Sequence, residues 1–161
     1  MRKTFDVANK LTLGDEGSAD EIRTWITRRI AYALWEQRGA PAGDEWTDWL
    51  TAEQMLRARQ LGDAGAEALA ECPDLSSYSE LDLEGHAIGD RGAQALAGSP
   101  YLAGLRELEL RNNPIGDAGA RALAESPHAA VLKKLKLSSS CLSEETQSLL
   151  RARFKRRLKL D

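Results

Sequence analysis

The residues in this chain whose types lend themselves to chemistry are few. They are His86 and His128, Cys72 and Cys141, and the glycine pairs Gly62/Gly65, Gly89/Gly92 and Gly116/Gly119. The two histidines are remote from one another, with no second ligand at metal spacing. The cysteines are also far apart, with no metal-ligand spacing, and are expected as reduced structural thiols of a cytoplasmic protein. The glycine pairs superficially suggest loops that cradle phosphate. Each pair, however, brackets an acidic residue, Asp63, Asp90 or Asp117, and no Lys-Ser/Thr follows, so phosphate binding is not expected. Carboxylates are abundant, but none stands in a hydrolytic pattern, and no nucleophile is paired with a base. The sequence therefore points away from an enzyme, with no cofactor and no metal site expected.

The same glycines recur because a whole block recurs. LGDAGAEALA at 61–70, IGDRGAQALA at 88–97 and IGDAGARALA at 115–124 are three copies at one fixed interval, which carries position 61 to 88 and 88 to 115. Pro73, Pro100 and Pro127 keep that interval, as do Leu81/Leu83, Leu108/Leu110 and Leu135/Leu137. A fixed period of this length signals a solenoid of stacked supersecondary units. In the segment 105–124, Leu108 and Leu110 alternate with charges at strand period, and Asn113-Pro114 turns the chain. Asp117 is read as the N-cap of an alanine-rich helix, and Pro127 as its stop. One unit is thus strand, turn, helix and return loop. One repeat step before Leu81 the chain shows a helical pattern instead, around residues 51–60. The helix at Asp63 is therefore expected to follow another helix.

Leu105, Leu108, Leu110, Asn113 and Ile115, followed by GDAGARALA, resemble the leucine-rich repeat family in its ribonuclease-inhibitor-like strand–helix class. Tyr78, Leu81, Leu83, His86 and Ile88 hold the same positions one unit earlier; Leu132, Leu135, Leu137, Ser140 and Leu142 hold them one unit later. The likeness covers about residues 61–142. It implies an α/β fold: a short solenoid of about three parallel strands with outer helices. It also implies a turn-satisfying role for Asn113, replaced by His86 and Ser140 in the flanking units. Residues flanking the strand leucines then point out on the concave face: Glu80, Asp82, Glu84; Glu107, Glu109, Arg111; Lys134, Lys136, Ser138. In a parallel in-register stack they form the ladders Glu80–Glu107–Lys134, Asp82–Glu109–Lys136 and Glu84–Arg111–Ser138. Glu80, Asp82, Glu84, Glu107, Glu109, Arg111, Lys134 and Lys136 are the candidate partner-binding residues.

The ends differ from the repeats. Residues 1–17 are expected as an N-terminal segment and a candidate for disorder. Residues 18–60 are expected as a helical hairpin holding all four tryptophans, Trp25, Trp35, Trp46 and Trp49. A capping box at Ser18–Glu21 opens its first helix. Most of the four tryptophans are read as its small core, together with Ile26, Ile30, Leu34, Leu50 and Met55, the alternative being that one or two stay exposed as binding anchors. Part of it, IAYALWEQRGAPAG at 30–43 followed by DWLTAE at 48–53, resembles a short bacterial domain of unknown function. Asp48 stands where that family usually has histidine. Residues 143–161 are expected as a basic cap helix opened by Ser143, with Leu149, Leu150 and Phe154 on one face.

Of the 161 residues, 42% are hydrophobic and 29% charged, with a net charge of −3. No apolar run approaches the ~20 residues of a membrane helix. No signal peptide is read after Met1, and a cytoplasmic location is expected. Residues 1–130 carry 13 Lys/Arg against 22 Asp/Glu, a balance of −9; residues 131–161 carry 9 against 3, a balance of +6. The function read from this is non-catalytic protein–protein interaction through the concave face and an adjoining end. The alternative is binding of an anionic surface, nucleic acid or membrane, through the basic C-terminal helix. The charge split also suggests head-to-tail self-association.

Overall fold

The computed structural model of this protein describes residues 4–6, 16–37, 39, 45–58 and 60–161. In chain order its elements are β1 (Thr4–Asp6), α1 (Glu16–Gln37), α2 (Glu45–Arg57), α3 (Gly62–Ala70), β2 (Glu80–Asp82), α4 (Asp90–Gly98), β3 (Glu107–Glu109), α5 (Asp117–Glu125), β4 (Lys134–Leu137), α6 (Glu144–Phe154) and β5 (Leu158–Leu160). Short 3₁₀ turns at Pro73–Ser77, Pro100–Gly104, His128–Val131 and Lys155–Arg157 complete the path. All strands are parallel, in the order β1-β2-β3-β4-β5. This is the α/β leucine-rich-repeat architecture that the resemblance implies. The three repeat strands, β2 to β4, are joined by one strand from each end of the chain.

The register follows the repeat step, with Leu81 beside Leu108 and Leu108 beside Leu135. These leucines, with Leu83, Leu110 and Leu137, are buried between sheet and helices. Leu69, Leu96 and Leu123 meet them from α3, α4 and α5. Small residues let the helices close up. A Cβ on Gly92 would lie 2.8 Å from the Ala66 Cβ, and one on Gly119 would lie 2.9 Å from the Ala93 Cβ.

Asp117 corrects the capping expectation. It is the first residue of α5, and the N-cap is Gly116, whose helix start is capped from the previous unit. Asp90 Oδ1 accepts the backbone N–H groups of Gly116 and Gly119, both at 2.8 Å. Asp63 Oδ1 does the same for Gly89 at 2.7 Å and Gly92 at 2.9 Å. Asp117 Oδ1 in turn accepts from Ser143 N at 2.8 Å, at the mouth of α6. Asp63 and Asp90 therefore each satisfy an orphan donor of the next helix rather than of their own, whereas in α6 the N-cap Ser143 Oγ accepts from Thr146 N. The glycines give the aspartates room: a Cβ on Gly116 would lie 3.1 Å from Asp90 Oδ2.

The far ends of the helices are joined by the same logic. Ser99 Oγ donates to Ala70 O at 2.6 Å, Ser126 Oγ to Ala97 O, and Arg153 Nε to Ala124 O at 3.1 Å. These donors and acceptors also keep the repeat step. Between strand and helix, Asn113 is 7% exposed and uses its whole amide. Its Oδ1 accepts from His86 N and Ile88 N, both at 3.0 Å. Its Nδ2 donates to Leu83 O at 2.7 Å and to Leu110 O at 3.0 Å. His86 is buried in the preceding turn with Nδ1 3.0 Å from Glu84 O. Ser140, one unit on, is exposed.

The ends depart from expectation in several places. α1 starts at Glu16, so Ser18 lies inside its first turn rather than before it. Residues 4–6 of the segment expected as disordered form β1; residues 1–3 and 7–15 lie outside the described residues. The hairpin core is made by Ile26, Ile30 and Ala52. Trp35 and Trp49 are half-buried, and Trp25 is 38% exposed with Nε1 3.3 Å from Ala68 O. The side chain of Trp46 is outside the described residues. Leu50, expected as apolar packing, is 55% exposed. α1 lies against α3, where a Cβ on Gly65 would sit 3.2 Å from Ile30 Cδ1. At the other end, the helix expected through residues 143–161 stops at Phe154. Lys155 takes a φ of +52°, and the chain returns to the sheet as β5.

The close approach of Asp90 to α5 gives opposite signs to two glycine substitutions. Gly119→Ala should destabilise by ~1–3 kcal/mol, because its Cβ would overlap Asp90 Oδ1 and Ala93. Gly98→Ala, at an exposed helix end with open space, should stabilise by ~0.5–1 kcal/mol. Urea unfolding midpoints of the two variants check both signs.

Candidate functional site

The outward face of the sheet carries the charges picked out in the sequence. Strand pairing sets Glu80 beside Glu107 and Glu107 beside Lys134. It also sets Asp82 beside Glu109 and Glu109 beside Lys136. The outer strands lengthen the second ladder, with Asp6 in register with Asp82 and Lys159 with Lys136. Five strands at ~4.8 Å spacing give about 19 Å between outer axes, roughly twice the width of three.

At the centre of the face, Glu109 is only 4% exposed. Burying a lone carboxylate costs several kcal/mol, so it must be matched by cations and hydrogen bonds. Arg111 Nε donates to its Oε1 at 2.8 Å and Nη2 to its Oε2 at 3.0 Å, a two-pronged pair. Lys136 Nζ closes on Oε2, and Arg111 N adds a 3.2 Å bond to Oε1. Arg111 also reaches Glu84 at 3.6 Å and Asp161 at 3.4 Å, so one guanidinium ties together three carboxylates from separate parts of the chain. Glu107 is shared between Lys134 and Lys136, the latter at 3.2 Å.

Six of the eight candidate residues are therefore one connected network: Glu84, Glu107, Glu109, Arg111, Lys134 and Lys136. The other two stand beside it on β2. Asp82 Oδ1 turns along its own chain to accept from Glu84 N at 3.0 Å. Glu80 is half-buried in register with Glu107. With like charge on β2 and on β4–β5, and the middle compensated, the face is acidic toward β2 and basic toward β5.

Burial raises the Glu109 carboxyl, but its bonds to Arg111 and Lys136 outweigh that and leave its pKa below the usual value. Glu107 is lowered in the same way, burial being outweighed by Lys134 and Lys136. Lys136 is raised, first by its bond to Glu109. Asp117 is lowered by the Ser143 N–H and the Thr146 and Ser143 hydroxyls.

The other chemically suggestive residues have structural surroundings. The N–H groups of Gly89, Gly92, Gly116 and Gly119, which a phosphate would need, already point at Asp63 and Asp90. Cys72 is buried, and burial pushes its thiol above the ordinary value; Cys141 is exposed. Arg153 and Arg157, counted in the basic tail, cap carbonyls: Arg153 that of Ala124, Arg157 those of Ala130 at 3.0 Å and Leu132 at 2.9 Å. Sequence reasoning missed these caps and the Ser99/Ser126 pair. The signal was present, since residues 72, 99, 126 and 153 share the repeat step. It also missed β5, whose Leu158-Lys159-Leu160 repeats the Leu135-Lys136-Leu137 of β4 but falls off the repeat step. Among the described residues, no helix is long and apolar enough to cross a membrane.

A leucine-rich repeat family model matches residues 79–97 and 105–124. A second, described as a protein of unknown function (DUF2934), matches residues 28–58. No curated protein matches the chain. The chain thus carries leucine-rich repeats behind a segment of an uncharacterised family, and α1 and α2 hold that segment against the first repeat helix. Within it, Asp48 is buried.

The charge network sets a pH dependence. Glu107 and Glu109 have depressed pKa values in the folded state. Their stabilisation is present above the unfolded carboxyl value near ~4.3 and is lost as pH falls through the folded values. Glu109→Gln should lower stability at pH 7 by ~1–3 kcal/mol, since Arg111 and Lys136 lose their shared anion. It should also flatten the decline between about pH 5 and pH 3 relative to the parent. Urea titrations at a series of pH values would show this; equal slopes in parent and variant would contradict it.

Proposed function

We propose that this leucine-rich-repeat chain is a non-catalytic protein-interaction module that docks a partner on the outward face of its sheet, together with the adjoining end of the solenoid. Leucine-rich repeats serve in general as protein-interaction modules, and the repeat match at 79–97 and 105–124 supports that coarse statement. The observation that carries the finer reading is the polarity of the face. A neutralised centre fixes side chains that would otherwise cost entropy to order, and opposite charges flank it. A partner surface fitting this arrangement presents cations over Glu80 and Asp82 and an anion over Lys159. Such complementarity steers encounter and rejects wrong partners more than it adds raw affinity. The sheet strip is short along the strands, and a standard interface takes about 800 Å² per partner, so the partner must also touch an end.

The alternative reading, an anionic surface bound by the basic tail, keeps fewer cations than the sequence suggests. Arg153 and Arg157 hold carbonyls, which leaves Arg151, Lys155, Arg156 and Lys159.

Two variants separate these readings. Glu80→Lys with Asp82→Lys reverses the acidic flank and leaves the Glu109–Arg111–Lys136 centre intact. Lys155→Glu with Arg156→Glu reverses exposed tail charges that cap nothing. Loss of one specific partner, at least tenfold, in the first variant alone is the expected result. Loss only in the second, with affinity falling steeply between about 50 and 200 mM salt, would move the function to the tail.

A further inference from the structure

β4 holds the inner edge of β5, and among the described residues no strand pairs with its outer edge. We propose that this outer edge takes an extended acidic segment of a partner protein as one further strand, with a carboxylate beside Lys159 and apolar side chains beside Leu158 and Leu160. The proposal rests on the reading of the chain as a protein-interaction module and gives the chemistry of the partner at the end of the solenoid.

The backbone of β5 presents the groups that such a strand needs. Asp161 N donates to Leu137 O at 3.3 Å, and Asp161 O accepts from Ser139 N at 2.7 Å, so residue 161 faces β4. Successive residues of a parallel strand aim their N–H and C=O to opposite sides. Lys159 therefore faces β4 as well, and residues 158 and 160 face outward. The Leu158 N–H is taken by Lys155 O in the turn before the strand. Leu158 O, Leu160 N–H and Leu160 O remain for a neighbour. One added strand meets all three whether it runs parallel or antiparallel, which is recognition by strand addition.

The side chains set the pattern of that strand. Leu158 and Leu160 continue the rows of Leu135 and Leu137. The inner pair is buried, whereas the outer pair is only half-buried. Apolar residues two apart on the added strand would cover them. Between them Lys159 stands on the outward face, in register with Lys136. Lys136 is held by Glu107 and Glu109, but among the described residues no carboxylate pairs with exposed Lys159. The same holds for Lys155 and Arg156, exposed in the turn that leads into β5. These three cations set the sign of the segment that fits. A lysine on a short edge strand also guards against pairing with a like strand. Alternation then gives apolar, acidic, apolar, with further acidic residues at the end nearest the turn.

The test uses the full chain and a fluorescein-labelled peptide of sequence EEVEVEE, with binding read by fluorescence anisotropy. The parent is expected to bind it saturably, one peptide per chain. Lys159→Glu should weaken binding at least tenfold, and Lys159→Arg, which keeps the charge, should bind as the parent does. The same peptide N-methylated at its three central amides keeps every charge and side chain but cannot donate to the edge. It should bind at least tenfold more weakly, a comparison that needs no variant of the protein. Four results would each overturn the proposal. They are a parent that does not bind the peptide, a Lys159→Glu chain that binds it like the parent, an N-methylated peptide bound as tightly as the plain one, and a parent that sediments as a dimer broken by Lys159→Glu. The third would make this end a plain anion patch, and the fourth would put a second copy on the edge. The Glu80→Lys/Asp82→Lys chain, in which β5 is untouched, should bind the peptide no more weakly than the parent. A partner lost in that chain, with no peptide bound by the parent, would sink the edge alone. Peptide bound, with no partner lost in that chain, would sink the outward face alone.

Discussion

One contact sets the geometry of the solenoid: an aspartate that reaches across a single repeat step to the N-terminal N–H groups of the next helix. Asp63, Asp90 and Asp117 each do this, for α4, α5 and α6. The contact satisfies donors that a helix cannot satisfy itself and places negative charge at the positive end of the dipole. It also fixes the distance between neighbouring helices, because the carboxylate occupies the space that a Cβ on Gly92 or Gly119 would need. The paired contact at the opposite end, from Ser99, Ser126 and Arg153 to the preceding helix, prevents the helices from fanning apart. Each repeat is held at both ends by its neighbour, so no unit is complete alone.

The strands inherit their register from this spacing. Once the helices stack at the repeat step, Leu81, Leu108 and Leu135 align, and the charges between them must align as well. Like charges on β2 and β3 and opposite charges on β4 then come into contact whether or not they stabilise the sheet. The structure resolves the crowding by sinking Glu109 and surrounding it with Arg111 and Lys136. The outward face is therefore not a set of independent charges. Its centre is committed to holding the strands, and recognition falls to its flanks.

Much of the architecture was legible in the sequence because it is periodic. The step, the strand leucines, the alanine helices, Asn113 and the order of charges on β2 to β4 all follow from repetition and side-chain alternation. The direction of capping was not, since Asp117 reads locally as the cap of its own helix and only the three-dimensional stack shows that it serves the next. The ends were less legible for a related reason. β1 and β5 are three residues each and fall off the repeat step, so the period does not announce them, although Leu158-Lys159-Leu160 of β5 repeats Leu135-Lys136-Leu137 of β4. The hairpin misled differently: tryptophan suggests core by size, yet Ile26, Ile30 and Ala52 fill the contact while Trp25 stays at the margin, with its indole N–H on Ala68. At the site, the face itself was visible, but the burial of Glu109 and the reach of Arg111 to Asp161 depend on side-chain packing that alternation does not encode.

The coupling between repeats is tested most directly by amide hydrogen exchange, residue by residue, in Asp63→Ala. Exchange should quicken at Gly89 and Gly92, one repeat away at the start of α4, with little change at Gly65 in the helix that carries the substitution. Faster exchange confined to the first turn of α3, with Gly89 and Gly92 protected as in the parent, would contradict an inter-repeat cap.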